Sequence, residues 1–266
     1  MAPTTVDGLD IDDATIDGTE VSEITVDGNV VFKAVSDIPD SGANHQWNFV
    51  EGSGTTVNDE IGSLDADFTG LSWGSSEGAN ETHGVLDGTD DYAILDGSSS
   101  SMAHFVNDQE GSILSWINPD SFTDDDNNSI LASNISGSNR SFYFVLDDDS
   151  GELQFGIGDG SQHEHAQADT AVNTDEWSAV MGSVENGTIE LYIAQPPDYD
   201  VTSVGSHSLS FGTTSGDLNQ EVSLGNETSD GGRYYDGGID ITFVDSSPWS
   251  ESDFQQFVED SKHLYE

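Results

Sequence analysis

The chain has 266 residues, with 52 Asp plus Glu against 4 Lys plus Arg, a formal charge of −48. That balance excludes nucleic-acid binding, which needs Lys and Arg to replace phosphate counterions, and docking on anionic membranes. The absence of cysteine excludes disulfides, thiolate metal sites and Cys nucleophiles.

The carboxylates run along the whole chain, and the basic residues Lys33, Arg140, Arg233 and Lys262 stand singly. At ordinary ionic strength such a charge opposes compaction. Yet 12 Phe, 7 Tyr, 5 Trp and regular alternating apolar runs suit a packed core better than disorder. The two facts agree where the screening length shrinks to about 3 Å, near molar salt. The composition is therefore that of a protein from an extreme halophile, or from a virus that infects one, bathed in K⁺ or Na⁺. The start, "MAPTTVDGLDIDDATIDG", shows no basic region and no apolar core, so no secretion signal is expected. No apolar run reaches the length of about 18 residues that a membrane helix needs, so no membrane insertion is expected.

Residues 1–36 repeat. Thr5-Val6-Asp7-Gly8, Thr15-Ile16-Asp17-Gly18 and Thr25-Val26-Asp27-Gly28 recur at a spacing of ten. Asp-Gly is a tight-turn signal and Thr with Val or Ile favours strand, so each decad reads as one short strand and a turn. Such a ribbon has too little apolar surface to fold alone. It is read either as an arm lying along a surface or as one that pairs with other chains. The second reading expects anchoring to virion structural proteins, or a homo-oligomer, with a trimer favoured.

The linker "AVSDIPDSGANH" carries the breakers Pro39 and Gly42, and residues 37–266 read as one all-β domain. Short alternating runs fall at 112–118 (SILSWIN), 141–147 (SFYFVLD), 152–158 (ELQFGIG), 177–184 (WSAVMGSV) and 188–194 (TIELYIA), separated by Gly, Asn, Asp and Ser. Phe142, Phe144 and Leu146 share one face of their strand. This spacing predicts a two-sheet jelly-roll sandwich. The end departs from it: Ser250 is a good N-cap, Glu251 and Asp253 suit the positive helix terminus, and Phe254, Phe257, Val258 and Leu264 form a helical stripe. One short C-terminal helix packed on the sandwich is expected.

Several stretches, in order, resemble the laminin G-like domain of the concanavalin A-like lectin/glucanase fold. They are "WNFVEGSGTTVNDEIGS" (47–63), "GVLDGTDDYAIL" (84–95), "SILSWINPDSF" (112–122), "EWSAVMGSVENGTIELYIA" (176–194) and "YYDGGIDITFVDSSPWSESDFQQFVE" (234–259). The resemblance covers roughly residues 40–266 and leaves out the repeats. It implies glycan or protein binding and, at one rim, a structural Ca²⁺ held by Asp90 and Asp91 with Asp240 of the closing strand.

The residues themselves leave alternatives. Asp87, Asp90 and Asp91 place three carboxylates in a short turn, which suits either a hard cation or a turn solvated by monovalent salt. His163 and His165 point the same way if "QHEH" is a strand and form a possible metal hook, but no third ligand is evident, and a polar strand edge is the favoured reading. Trp73 and Trp249 are expected to pack on the sandwich. Tyr199, Tyr234 and Tyr235 sit beside Gly, Ser and Asp in apparent loops and are the candidate ligand-binding residues, since exposed aromatic faces suit sugar rings. No catalytic residue is assigned. Retaining glycosidases need two carboxylates about 5 Å apart, whereas Asp240 and Glu190 each stand alone on their strands.

The expected function is a non-enzymatic virion surface protein, such as a capsid spike or tail fibre, of a halophile-infecting virus. It would present a lectin-like domain to a host surface glycan or glycoprotein. The alternative is a secreted or cell-surface glycan-binding module of a halophilic microbe.

Overall fold

The structure, a computed structural model, describes residues 43–75, 77–122, 128–133, 140–147, 150–227 and 233–265, with six short strands between residues 5 and 33. The chain divides into two units, Met1–Asp40 and Ser41–Glu266.

In the first unit each decad forms two paired strands, not one. β1 (Thr5–Val6) pairs β2 (Leu9–Asp10), β3 (Thr15–Ile16) pairs β4 (Thr19–Glu20), and β5 (Glu23–Val26) pairs β6 (Asn29–Lys33). Val6 meets Leu9, Ile16 meets Thr19 and Val26 meets Asn29, so one Asp-Gly pair separates each two strands. The Asp-Gly turns themselves lie outside the described residues.

The second unit holds two antiparallel sheets of eight strands each among the described residues. The first sheet runs β10 (Ser72–Ser75), β11 (Thr82–Asp87), β22 (Asp236–Asp245), β13 (Gly111–Pro119), β18 (Ser178–Glu185), β19 (Thr188–Ala194), β20 (Thr202–Ser208), and β7 (His45–Trp47) also pairs β22. The second runs β17 (His163–Ala171), β16 (Glu152–Asp159), β15 (Arg140–Leu146), β14 (Asn128–Ala132), β21 (Val222–Leu224), β12 (Tyr92–Leu95), β9 (Ala66–Thr69), β8 (Thr56–Val57). Phe142, Phe144, Phe155, Ile113, Ile117, Val180 and Ile239 face inward and form the shared core. Burying each such side chain contributes roughly 1.5–3 kcal/mol. This is the jelly-roll sandwich that the alternating runs predict.

Two polar devices close the sandwich. At the start, Asp59 is buried and collects His45 Nδ1 at 2.6 Å and the backbone N–H groups of Gln46, Gly62 and Leu64 at 2.9–3.0 Å. Burial alone pushes this carboxyl up, but His45 and those N–H groups together hold it well below the usual carboxylate range. At one edge, Glu164 of β17 takes a hydrogen bond from Ser210 and lies 3.0 Å from His207 of β20, tying the two sheets. The Ser210 hydroxyl, then His207, lower the Glu164 carboxyl to about 2.

Two single-turn helices, α1 (Ser98–Ser101) and α2 (His104–Asn107), precede β13, and near the end of the chain comes α3 (Glu251–Ser261), begun by a capping box in which Ser250 and Asp253 bond each other's backbone N–H. Its buried side chains Phe254, Phe257 and Val258 lie on the outer side of the first sheet. There Phe257 meets Phe243 at 5.4 Å and Phe254 meets Tyr192 at 6.5 Å between ring centroids. Trp249 adds a contact to Phe243 at 4.6 Å, and Trp73 packs on the main core, as expected of both.

Candidate ligand-binding face

α3 and the residues after it cover β13 and β22 on the outer face of the first sheet, and that decides the fate of two expected site residues, Tyr199 and Asp240. Tyr199 is only 4% exposed, with its ring 5.6 Å from Trp116. Asp240 is fully buried: Oδ2 accepts from Ala79 N at 2.6 Å and from the Tyr265 hydroxyl at 3.0 Å, and Oδ1 from Ile241 N at 2.8 Å. Burial holds this carboxyl well above its ordinary value. Tyr265 stacks on Trp116 at 4.1 Å and seals the group. Tyr235 is 0% exposed in the inter-sheet core and donates to Gly238 O at 3.0 Å. The exposure expected of Tyr199 and Tyr235 is therefore corrected, because tertiary packing buries both. Asp240 stands apart from the acidic turn.

The second sheet is different around β12. Its burial alternates: Ala93 and Leu95 enter the core, Tyr92 is half-buried and Ile94 is 42% exposed. Tyr92 and Ile94 therefore face outward, as period-two geometry requires. Thr69 of β9 lies opposite Tyr92 and is exposed. Tyr234 keeps its expected partial exposure, and its ring stands 6.2 Å from that of Tyr92 at an interplanar angle of 49°.

The acidic turn sits at the start of the same strand. Asp87, Asp90 and Asp91 offer ligand oxygens all within 4.8 Å of one another, with Asp87 and Asp90 exposed and Asp91 buried. The turn holds itself in shape. Asp91 Oδ2 accepts from Asp87 N at 3.0 Å, and Asp87 Oδ1 accepts from Thr89 N at 2.9 Å. Gly88 has φ +69°, and a Cβ there would come within 2.8 Å of Asp236 Cβ, so glycine is required twice over. Asp91 is held above the usual carboxylate value, first by burial and then by the charges of Asp87 and Asp90. A hard cation relieves that repulsion. Ligands about 2.4 Å from a shared Ca²⁺ lie no more than about 4.8 Å apart, so these three carboxylates are close enough to reach one ion, which would take its remaining oxygens from backbone or water.

His163 and His165 do lie on one face of β17, the edge strand, each with its ring 6.1 Å from Tyr143. The Tyr143 ring lies where a side chain on Gly156 would stand. Among the described residues no third His, Asp or Glu joins the two histidines.

The sequence reading selects Tyr234, Asp90 and Asp91 but not Tyr92 or Ile94. The signal for those two was present, since "YAIL" alternates large side chains outward with Ala93 and Leu95 inward.

Comparison with known proteins agrees with this architecture. Residues 87–247, more than half of the chain, match the family Laminin_G_3, described as the concanavalin A-like lectin/glucanases superfamily. No match was found among curated protein sequences. Among solved structures, the chain is similar to domain 4 of AbnA, a GH43 extracellular arabinanase from Geobacillus stearothermophilus, in complex with arabinotriose. Identity is 16% and the TM-score 0.57, covering 80% of this chain and 97% of that one. It is similar to the Ruminococcus gnavus IT-sialidase CBM40 bound to α2,3-sialyllactose, at 13% identity and TM-score 0.50, covering 71% and 96%. It is also similar to the botulinum neurotoxin serotype C1 binding domain, at 12% identity and TM-score 0.55, covering 85% and 53%. At these identities the likeness is one of fold. The chain belongs to the concanavalin A-like lectin/glucanases superfamily.

Proposed function

We propose that this chain is a non-catalytic glycan-binding protein displayed on a surface in a high-salt medium, with the outer face around β12 as its binding face. The observation that carries the reading is the Tyr92–Tyr234 pair, 6.2 Å apart and half-buried, on a face that α3 does not cover. Aromatic rings held beside polar groups offer a sugar an apolar face and hydroxyl partners together. Thr69 is such a polar group. Asp87, Asp90 and Asp91 hold Ca²⁺ at the end of the strand and fix the turn that carries Tyr92. Two similar structures, an arabinanase domain in complex with arabinotriose and a CBM40 bound to α2,3-sialyllactose, hold glycans, which supports the same class of ligand here.

The display setting rests on composition and on the repeats. A charge of −48 suits near-molar salt. The paired strands of residues 1–36 offer unpaired edges to a neighbouring chain, which suits attachment to a virion of a halophile-infecting virus or assembly into a homo-oligomer.

A glycan array probed in molar KCl with Ca²⁺ tests the binding function. The wild type should bind a defined subset of glycans, Tyr92→Ala should lose that signal, and chelation should weaken it. Equal signals from wild type and Tyr92→Ala would remove this face from the function.

A further inference from the structure

The open face continues past Ile94. At the far end of β12 from the acidic turn lies a surface pocket of about 400 Å³, lined by Ile94, Ser99, Leu218, Asn219, Gln220 and Glu221. It is held in place from several sides. Leu218 N donates to Ser99 O at 2.8 Å, which fixes the 210–221 segment against α1 (Ser98–Ser101). The Glu221 carboxylate takes Ser99 N at 2.8 Å and the Ser98 and Ser99 hydroxyls at 3.1 Å each. Leu218 is 5% exposed and gives the pocket an apolar floor, while Asn219 and Gln220 are exposed at its rim. The pocket therefore pairs apolar surface with amide groups on a braced frame, as a ligand subsite does.

Ile94 belongs to both regions. It lines the pocket, and it stands two residues along β12 from Tyr92, about 7 Å away on the same face. Tyr234, Tyr92 and Ile94 thus form one strip running from the acidic turn to the pocket, where the buried Leu218 supplies the apolar floor. A single sugar cannot reach from Tyr234 to Asn219. The charge at both ends selects further. Asp87, Asp90 and Asp91 together outweigh a bound divalent cation by one negative charge at one end, and Glu221 lines the other. The hydrogen bonds from Ser98 and Ser99 keep Glu221 ionised, its carboxyl lying below the usual value despite partial burial. Among the described residues no Lys or Arg lines the pocket to receive an acidic sugar.

We propose that the strip from Tyr234 through Tyr92 and Ile94 to the Asn219 pocket is a continuous groove for a neutral linear oligosaccharide, with Asn219 and Gln220 forming a second subsite. This rests on the glycan-binding reading above and adds the chain length and charge of the ligand.

The test is calorimetry in molar KCl with length ladders of arabinan- and cellulose-derived oligosaccharides and with oligogalacturonate, on wild type, Tyr92→Ala and Asn219→Ala. Both variants change solvent-facing side chains, and circular dichroism checks their folds. Affinity for one neutral ladder should rise with length and then level off. Asn219→Ala should weaken the longest neutral probe by about tenfold, a 1.4 kcal/mol change, and leave the shortest unchanged. Tyr92→Ala should weaken every length, and oligogalacturonate should bind more weakly than the neutral ladder. Length-independent affinity with Asn219→Ala silent would overturn the second subsite while leaving the binding function standing. So would glycan binding on the array with neither neutral ladder bound. Preferential binding of oligogalacturonate would overturn the neutral ligand, and neutral binding untouched by Tyr92→Ala would overturn the strip and the binding face together.

Discussion

Two regions of the sandwich have opposite fates: β13 and β22 in the middle of the first sheet, and β12, β9 and β17 of the second, in which β14, β15, β16 and β21 are buried almost throughout. On the first sheet, β13 and β22 are buried along nearly their whole length, since α3, Trp249 and Tyr265 close their outer side. On the second, β12 and β9 alternate between core and solvent, and β17 at the edge exposes every residue at least partly except Ala166 and Ala168. The C-terminal helix closes the outer side of β13 and β22, whereas β12 and β9 keep outward side chains in reach of solvent. The comparison also shows why a fully buried carboxylate such as Asp240 belongs to the fold, while the crowded rim of Asp87, Asp90 and Asp91 is open to an ion.

The largest effect should come from removing salt, which burdens both faces with unscreened charge. Below roughly 0.5 M the screening length exceeds that of molar salt, and sheet structure should be lost cooperatively by circular dichroism. Hydrogen exchange on the way down should show β9, β12 and β17 exchanging before β13 and β22, which are covered on both sides. A fold unchanged at low salt, or uniform exchange, would break the contrast.

Next in size, the two faces should respond unequally to losing an apolar side chain. Phe257→Ala opens a cavity between α3 and Phe243 and should cost about 3–5 kcal/mol in thermal unfolding. Ile94→Ala removes an exposed group and should stay within about 0.5 kcal/mol. Similar costs would mean that the open face is packed in solution.

The smallest effect separates the buried carboxyl from the exposed ones. Burial raises the folded pKa of Asp240 above its unfolded value, which is about 3.9. Its neutral form therefore favours the native state fully below that value, and the benefit fades as pH rises towards the raised folded value. Asp240→Asn should shift Tm at every pH, since it alters the Ile241 N contact. Its distinctive mark should be a shallower decline of Tm above about pH 4 than in the wild type. Parallel profiles would show that Asp240 is ionised in the native state at all these pH values.

Local pattern made much of this legible. The runs at 112–118, 141–147, 152–158 and 188–194 alternate, and each became a strand within a residue or two. Ser250 and Asp253 announced the helix start because capping is a contact between near neighbours. The acidic turn was legible for the same reason, since Asp87, Asp90 and Asp91 are adjacent in sequence before they are adjacent in space. Tyr199, Tyr235 and Asp240 were misread because their surroundings come from afar. Tyr265 lies 25 residues from Asp240, and nothing near Tyr199 shows that Trp116 will meet it. The repeats gave paired strands where one strand per decad was expected, because Thr19-Glu20 carries little strand signal until Thr15-Ile16 pairs with it.

The most direct test of the central claim is to map where a glycan binds. Backbone amide shifts should be followed in molar KCl while a glycan positive on the array is titrated in. The account predicts perturbations clustered at Thr69, Tyr92, Ile94 and Tyr234, fading towards β13, Trp249 and α3. Perturbations centred on Trp249, Tyr199 or α3, with Tyr92 and Ile94 unmoved, would contradict it.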